Sequence, residues 1–338
     1  MHRRTLAFTF GLGLVMTFAS TAALAQYQLT NLVSNQVKWA KNTDPLSVNA
    51  WGLVHTPGSP FWVSDEGSGW STLYDGKGVK QGLEVEIPSA NGAGTGSPTG
   101  IVFNGSSDFQ VKGKSAIFIF ATLDGTICAW APGVDRNNAQ IAVPSTGASY
   151  TGLAITSKAS GNFLFAANIA SGKVDMFDGT YTLVGSFTDT TLPAGFTPFG
   201  IQDLDGLLYV AFASSTGGAG GFVDTFTEDG TFVKQLISGA PLNQPWGITI
   251  APKNFGPLSS TLLVSNNTNS GTINGFNALT GQFVGTIKDT NGKPIHIDQL
   301  WGIEFGGGTA NNGRTNELFF TAGPSNNLAG TFGSISFK

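Results

Sequence analysis

The chain has 338 residues, of which 11% are charged, with a formal net charge of −4, 47 glycines and a single cysteine. The acidic balance, with no basic stripe, excludes an electrostatic nucleic-acid footprint, and one cysteine excludes an intramolecular disulfide framework. Abundant glycine beside 11% aromatic residues is the composition of a β-protein rich in tight turns.

Residues 1–25 read as a secretory signal peptide: Arg3 and Arg4 precede a short apolar run, and Ala23-Leu24-Ala25 puts small residues at the cleavage positions. Without those two arginines the formal charge of residues 26–338 moves from −4 to −6. No later stretch is apolar enough to span a bilayer. The predicted product is an exported monomer, periplasmic or extracellular, without an integral membrane segment.

Residues 27–33, YQLTNLV, alternate as a strand should. A phrase then recurs six times, aromatic-or-Thr, Gly, Leu-or-Ile, with its glycines at 52, 100, 152, 200, 247 and 302. The steps are 48, 52, 48, 47 and 55 residues, the signature of a repeat architecture. Each copy leads into an apolar strand: FWVSD, IFIFAT, FLFAAN, LLYVAFA, LLVSNN and LFFTAG. A third strand closes on an aromatic in most copies (STLYDG, GTICAW, GKVDMFDG, GFVDTF, GTINGF, GSISF), and a fourth follows as in LEVEIP, AQIAVP, TFVKQL and GQFVGTI. The pairs Asp75-Gly76, Asp124-Gly125, Asp178-Gly179 and Asp229-Gly230 predict hairpin turns with positive φ.

Four strands per unit of about 50 residues is the arithmetic of a propeller blade. The predicted fold is all-β: one six-bladed β-propeller over residues 26–338, with four-stranded blades. The last unit ends after its third strand, so residues 27–33 are expected to pair into the last blade and close the ring, removing an exposed edge. The repeated glycine is expected where inner strands crowd the axis. Trp51, Trp246 and Trp301 are expected to pack between blades; turned toward the channel mouth instead, they would stack on a ligand. Cys128, inside TICAW, is expected to be a buried, inert thiol.

The runs DPLSVNAWGLV, FWVSDEGSGWSTLYDG, FIFATLDGTICAW, LNQPWGI and LWGIEFGGG, with LFFTAGP near the end, make nearly the whole of residues 26–338 resemble a family of exported bacterial β-propellers, some of which carry a PEP-CTERM sorting tail. More distantly the chain is similar to NHL-type and gluconolactonase-like propellers. The resemblance implies the fold and brings no established activity.

In a propeller, the loops that enter the inner strands and those that join second to third strands share one face. That face should carry Asn49, Asn243, His296 and Asp298 from the first loop class, and Asp65, Glu66, Asp124, Asn168, Asn266 and Asn267 from the second. Carboxylate and amide oxygens suit a hard divalent cation such as calcium, with Glu66 and Asn266 as the metal ligands. Asn49, Asp65, Asn168, Asn243, Asn267, Trp246 and Trp301 are the ligand-binding candidates. Asp65 has the plainer alternative of a polar turn whose carboxylate caps backbone amides.

His55 and His296 are the only histidines after residue 25, which excludes a three-histidine zinc site, and neither HExxH nor a cysteine cluster occurs. His296, two residues before Asp298, is the catalytic candidate of the two; His55 reads as structural. No G-x-S-x-G, C-x-x-C-H or G-x-G-x-x-G occurs, so neither a nucleophile elbow nor a haem or nucleotide cofactor is expected. Three functions fit: a propeller binding a small polar molecule, a glycan or a protein at its axial funnel; a metal-dependent hydrolase or lactonase; and an extracellular scaffold. The first fits best.

Overall fold

The computed structural model describes residues 26–158 and 161–338, so the predicted signal peptide lies outside the described residues. Six antiparallel sheets form the blades. Blade 1 runs outward through Ala50–Val54, Phe61–Asp65, Trp70–Tyr74 and Lys80–Glu86. Blade 2 uses Pro98–Phe103, Phe118–Thr122, Ile127–Trp130 and Gln140–Val143, and blade 3 Tyr150–Lys158, Gly161–Asn168, Lys173–Asp178 and Leu183–Phe187. Blade 4 comprises Phe196–Leu204, Leu207–Ser214, Phe222–Thr227 and Phe232–Ser238, and blade 5 Pro245–Ile250, Leu262–Asn266, Ile273–Phe276 and Phe283–Thr286.

Blade 6 takes Leu300–Phe305, Glu317–Ala322 and Thr331–Phe337 from the end of the chain and its outer strand, Tyr27–Ser34, from the beginning. The closing pair is antiparallel, with Tyr27 opposite Phe337 and Thr30 opposite Ser334, as the alternation of that segment predicts. Two small additions escape the repeat: Asn42–Thr43 pairs parallel to the closing strand, and Gln110–Val111 forms a hairpin with Lys114–Ser115.

The repeated glycines are explained by the neighbouring blade. A Cβ on Gly200 would stand 2.0 Å from the Trp246 carbonyl oxygen, one on Gly52 2.2 Å from that of Thr99, and one on Gly302 3.0 Å from that of Trp51, so the tight contact passes around the ring and closes on itself. Hydroxyls on the first or second strands tie four of the neighbouring blade pairs: Thr99 Oγ1 donates to Tyr150 O, Thr151 Oγ1 to Phe199 O and Ser265 Oγ to Trp301 O, each at 2.7 Å, and Thr321 Oγ1 donates to Trp51 O. Six apolar clusters fill the six gaps between neighbouring blades. Burial of this kind of surface stabilises at roughly 25 cal/mol per Å², which is how the ring holds without a disulfide.

The aspartate-glycine turns divide. Gly125 and Gly230 have φ of 81° and 83°, as expected, but in blades 1 and 3 the left-handed residues are Gly78 and Tyr181. Gly76 is required for another reason: a Cβ there would lie 2.5 Å from Gly313 N of blade 6. Cys128 is fully buried, and burial pushes its thiol up to about 12.

Candidate functional site at the lower mouth of the channel

Each inner strand runs from the face where it begins, the upper face, to the lower face. At the upper end four rings meet on the axis: Trp51 of blade 1, Phe199 of blade 4, Trp246 of blade 5 and Trp301 of blade 6. Trp51 and Trp301 stack with centroids 3.6 Å apart and planes 15° from parallel; Phe199 and Trp246 stand edge-on or tilted to them at 5.7–6.5 Å. Trp246 Nε1 donates across the ring to Thr151 O of blade 3 at 3.1 Å. The tryptophans therefore plug the axis instead of packing between blades as predicted.

A backbone device aims them. Asn49, Gln244 and Gln299, each two residues before a tryptophan, have φ of 47°, 52° and 50°, a region non-glycine residues seldom adopt. In each case the carbonyl of the bent residue accepts an N–H from the residue just after the second strand: Glu66, Asn267 and Gly323, at 3.2, 2.8 and 2.9 Å. Glu66 and Asn267 are in this sense clamps on the bend.

Below the plug the Leu-or-Ile of each repeat lines the channel: Leu53, Ile101, Leu153, Ile201, Ile248 and Ile303 form an aliphatic collar around a void of about 40 Å³. The channel then opens at the lower face into a cup of about 230 Å³, where His55, Gln202, Asp203, Thr249 and Glu304 bring polar groups to an otherwise apolar wall. Glu304 Oε2 is buried with no hydrogen-bond partner, while its Oε1 lies 3.5 Å from His55 Nε2. Burial pushes the Glu304 carboxyl well above the usual carboxylate range, and a hydrogen bond from the His55 backbone offsets this only in part. His55 is fixed between two carbonyls, Thr56 O at 2.7 Å from Nδ1 and Phe305 O at 3.0 Å from Nε2, and its ring meets Phe61 edge-on.

The residues singled out from sequence fall in separate places around the ring. Asn49 belongs to the plug: it is buried, its Nδ2 donates to Glu66 Oε2 at 2.8 Å, and its Oδ1 accepts Trp301 Nε1 at 2.9 Å. Asn49, Glu66, Trp301 and, through the ring contact, Trp246 are thus brought together. Asn243, Asn266 and Asn267 form a second group in blade 5, where Asn243 N donates to Asn266 Oδ1, Asn266 Nδ2 to Pro241 O, and Asn267 Nδ2 to Leu300 O of blade 6. Asn168 holds the corresponding corner of blade 3, with Nδ2 donating to Asp175 at 2.8 Å and Oδ1 accepting Ser149 N at 3.2 Å. His296 is exposed against Ser270, 2.9 Å from its hydroxyl, and Asp298 accepts Ser325 N at 2.9 Å, so the two side chains face different loops. No contact joins Glu66 to Asn266, and no group of three or more His, Cys, Asp or Glu suited to a metal occurs among the described residues.

No amide of the turn over residues 66–69 donates to the Asp65 carboxyl. It is fully buried, at the head of a relay in which Asp65 Oδ2 meets Thr72 Oγ1 at 2.6 Å, Thr72 Oγ1 meets Tyr74 OH at 2.8 Å, and Tyr74 OH meets Asp44 Oδ2 at 2.7 Å beside Lys80. Three contacts need three protons, and two hydroxyls supply two. A proton on Asp65 supplies the third, in keeping with burial holding its carboxyl well above the usual range. Asn168 and Asn266 stand at the matching place in blades 3 and 5, each with Nδ2 donating. A protonated aspartate does the same work.

Sequence reasoning missed Glu304, Asp203 and the cup. The signal was present in register: the residue after the repeated Leu or Ile is Val54, Val102, Ala154, Gln202, Thr249 and Glu304, so a carboxylate replaces uncharged side chains once around the ring.

No protein-family model matches the chain. A mimivirus protein, Uncharacterized protein R648 of Acanthamoeba polyphaga mimivirus, is 31% identical over 95% of this chain and 83% of its own length. The chain belongs to the family of that protein. A second relative from the same virus, Uncharacterized protein L690, is 28% identical over 86% of this chain and 81% of its own. These relatives are viral, and the comparisons do not support the resemblance to bacterial propellers with PEP-CTERM members. Among solved structures, a gluconolactonase from Xanthomonas campestris superposes with a TM-score of 0.57 at 13% identity, covering 87% of this chain and 88% of that one. Virginiamycin B lyase from Staphylococcus aureus, with quinupristin, gives 0.52 at 11% identity over 92% and 99%. Identities this low establish the shared propeller fold alone.

Proposed function

We propose that the protein binds a small, neutral, hydroxyl-bearing molecule in the lower cup, and that it does so outside the cytoplasm, as the predicted leader implies. The observation that carries this is Glu304: a carboxyl side chain lining an otherwise apolar open cavity, with one of its oxygens, Oε2, left without a hydrogen-bond partner within the chain. The plug closes the other end of the channel, so a ligand reaches the cup from the lower face only. A volume of 230 Å³ is about seven or eight water volumes at ~30 Å³ each, which suits a single sugar-sized molecule and excludes a polymer. The Glu304 carboxyl hydrogen-bonds to it, and the collar covers its apolar face.

A second reading rests on the closeness of His55 Nε2 and Glu304 Oε1, two groups able to exchange protons with one bound molecule. That pair favours hydrolysis of a sugar lactone, a chemistry that the gluconolactonase's name also brings to mind. Thermal shift with sugar lactones and monosaccharides, followed by turnover of any lactone that binds, tests both readings. A stabilising compound should lose its effect in Glu304→Ala and in Ile155→Trp, which fills the cup. A shift that survives both substitutions would place the binding elsewhere.

A further inference from the structure

A second cavity, of about 900 Å³, lies on the flank of blade 6 where it meets blade 1, away from the axis. Its walls are the turn around Gly76, the segment leading through Lys41, and the first hairpin of blade 6. These walls are pinned together. Gly76 N donates to Asn311 O at 3.1 Å, Asn42 Nδ2 bridges Leu32 O and Gly78 O at 3.1 and 3.0 Å, and Asn311 Nδ2 donates to Gly58 O at 2.8 Å. Asn312, fully buried, holds the hairpin from within through Thr309 and Thr56. The groove is thus preformed, at the upper end of the ~300–1,000 Å³ usual for ligand clefts.

Its chemistry runs against that of the whole protein. Lys41, Lys77, Arg314 and Lys338 line it with a single acidic side chain, Glu317, which pairs with Arg314 at 3.5 Å, in a chain whose net charge is −4. Among the described residues no carboxylate lies within ion-pair distance of Lys41 or Lys77; the neighbouring Asp75 is turned into its own turn, accepting Lys77 N and Val79 N at 2.8 Å each. The floor is a strand face: Gln28 opposite Ser336 and Thr30 opposite Ser334, which the two-residue period puts on one side. Among the described residues none of these four side chains makes an intramolecular hydrogen bond. No aromatic ring lines the groove, so stacking on a neutral sugar or a nucleobase is not what it offers.

We propose that this groove binds an acidic polysaccharide, its carboxylate or sulfate groups meeting Lys41, Lys77 and Arg314 and its hydroxyls meeting the floor. The site is independent of the axial cup: the cup takes one small molecule, the groove a length of polymer.

The test is titration of the purified protein with polygalacturonate and with dextran sulfate, against neutral dextran, single-stranded DNA and inorganic phosphate. The acidic polysaccharides should bind, weakening as salt is raised through the range where the Debye length falls below ~10 Å, and neutral dextran should not. The double charge reversal Lys41→Glu with Lys77→Glu, at exposed positions, should weaken binding at least about tenfold, while Lys288→Glu with Lys293→Glu, on blade 5, should not. Both variants are checked for an unchanged melting temperature. Failure of both polysaccharides to bind, binding indifferent to the groove reversal, or tighter binding of DNA or of phosphate alone would each overturn the proposal.

Discussion

Replacing Asp224 by asparagine should make the protein more stable at neutral pH. Asp224 sits on the third strand of blade 4, fully buried, and neither of its carboxyl oxygens has a hydrogen-bond donor. Its neighbour is another buried acid, Asp189, whose Oδ1 is held by Thr191 N and Oγ1 at 2.7 Å each and whose Oδ2 has no partner. Burial first, and Asp189 second, push the Asp224 carboxyl up from 3.8 to about 8. Because the folded value is raised, this carboxyl's contribution to stability is fully present below the unfolded value and is lost as pH rises toward 8. At about 1.4 kcal/mol per pH unit, the loss reaches roughly 4 kcal/mol by pH 7, some three units above the unfolded value. The side chain introduced by Asp224→Asn would carry no such dependence, and its amide can donate to the unpartnered Asp189 Oδ2. Urea unfolding of both proteins at pH 5, 6, 7 and 8 reads this directly. The variant's advantage should grow from about 1–2 kcal/mol at pH 5 to about 4 at pH 7. A difference that stays constant across those four values would refute the raised Asp224 carboxyl.

Gly200→Ala should destabilise by at least about 2 kcal/mol, because the new methyl would lie 2.0 Å from Trp246 O, whereas Gly82→Ala, with open space around it on an outer strand, should be neutral or slightly stabilising; thermal denaturation separates them. Asp65→Asn should retain the relay to Thr72, Tyr74 and Asp44, and should match the parent at pH 4 and equal or exceed it at pH 8, since a raised carboxyl loses stability as pH rises. A marked loss of stability at pH 8 would show that Asp65 is ionised. Cys128, buried and with its thiol pushed up to about 12, should resist a thiol reagent in the native protein and react once the protein is unfolded in urea.

Much of the architecture was legible in the chain because it is local and repeated. The glycine spacing counts the blades, the alternation of residues 27–33 supplies the closing strand, and the apolar runs give the second strands, each following from side-chain period and backbone crowding within about 50 residues. Asn49, Asp65 and Glu66 were likewise visible as polar residues next to the first repeat. Their partners were not. Asn49 meets Trp301 at a separation of 252 residues and Asp65 is linked to Asp44 through two hydroxyls, contacts that no local pattern encodes.

The sequence by itself therefore determined the ring, since every blade carries its own hydrophobic face and its own glycine. Only the tertiary structure decided which end of the axis is open. Closing a ring brings one residue from each blade to a single line, so the outcome depends on all six together: three tryptophans and a phenylalanine fill the upper end, and the smaller side chains below them, interrupted by Glu304 and His55, leave the lower end hollow.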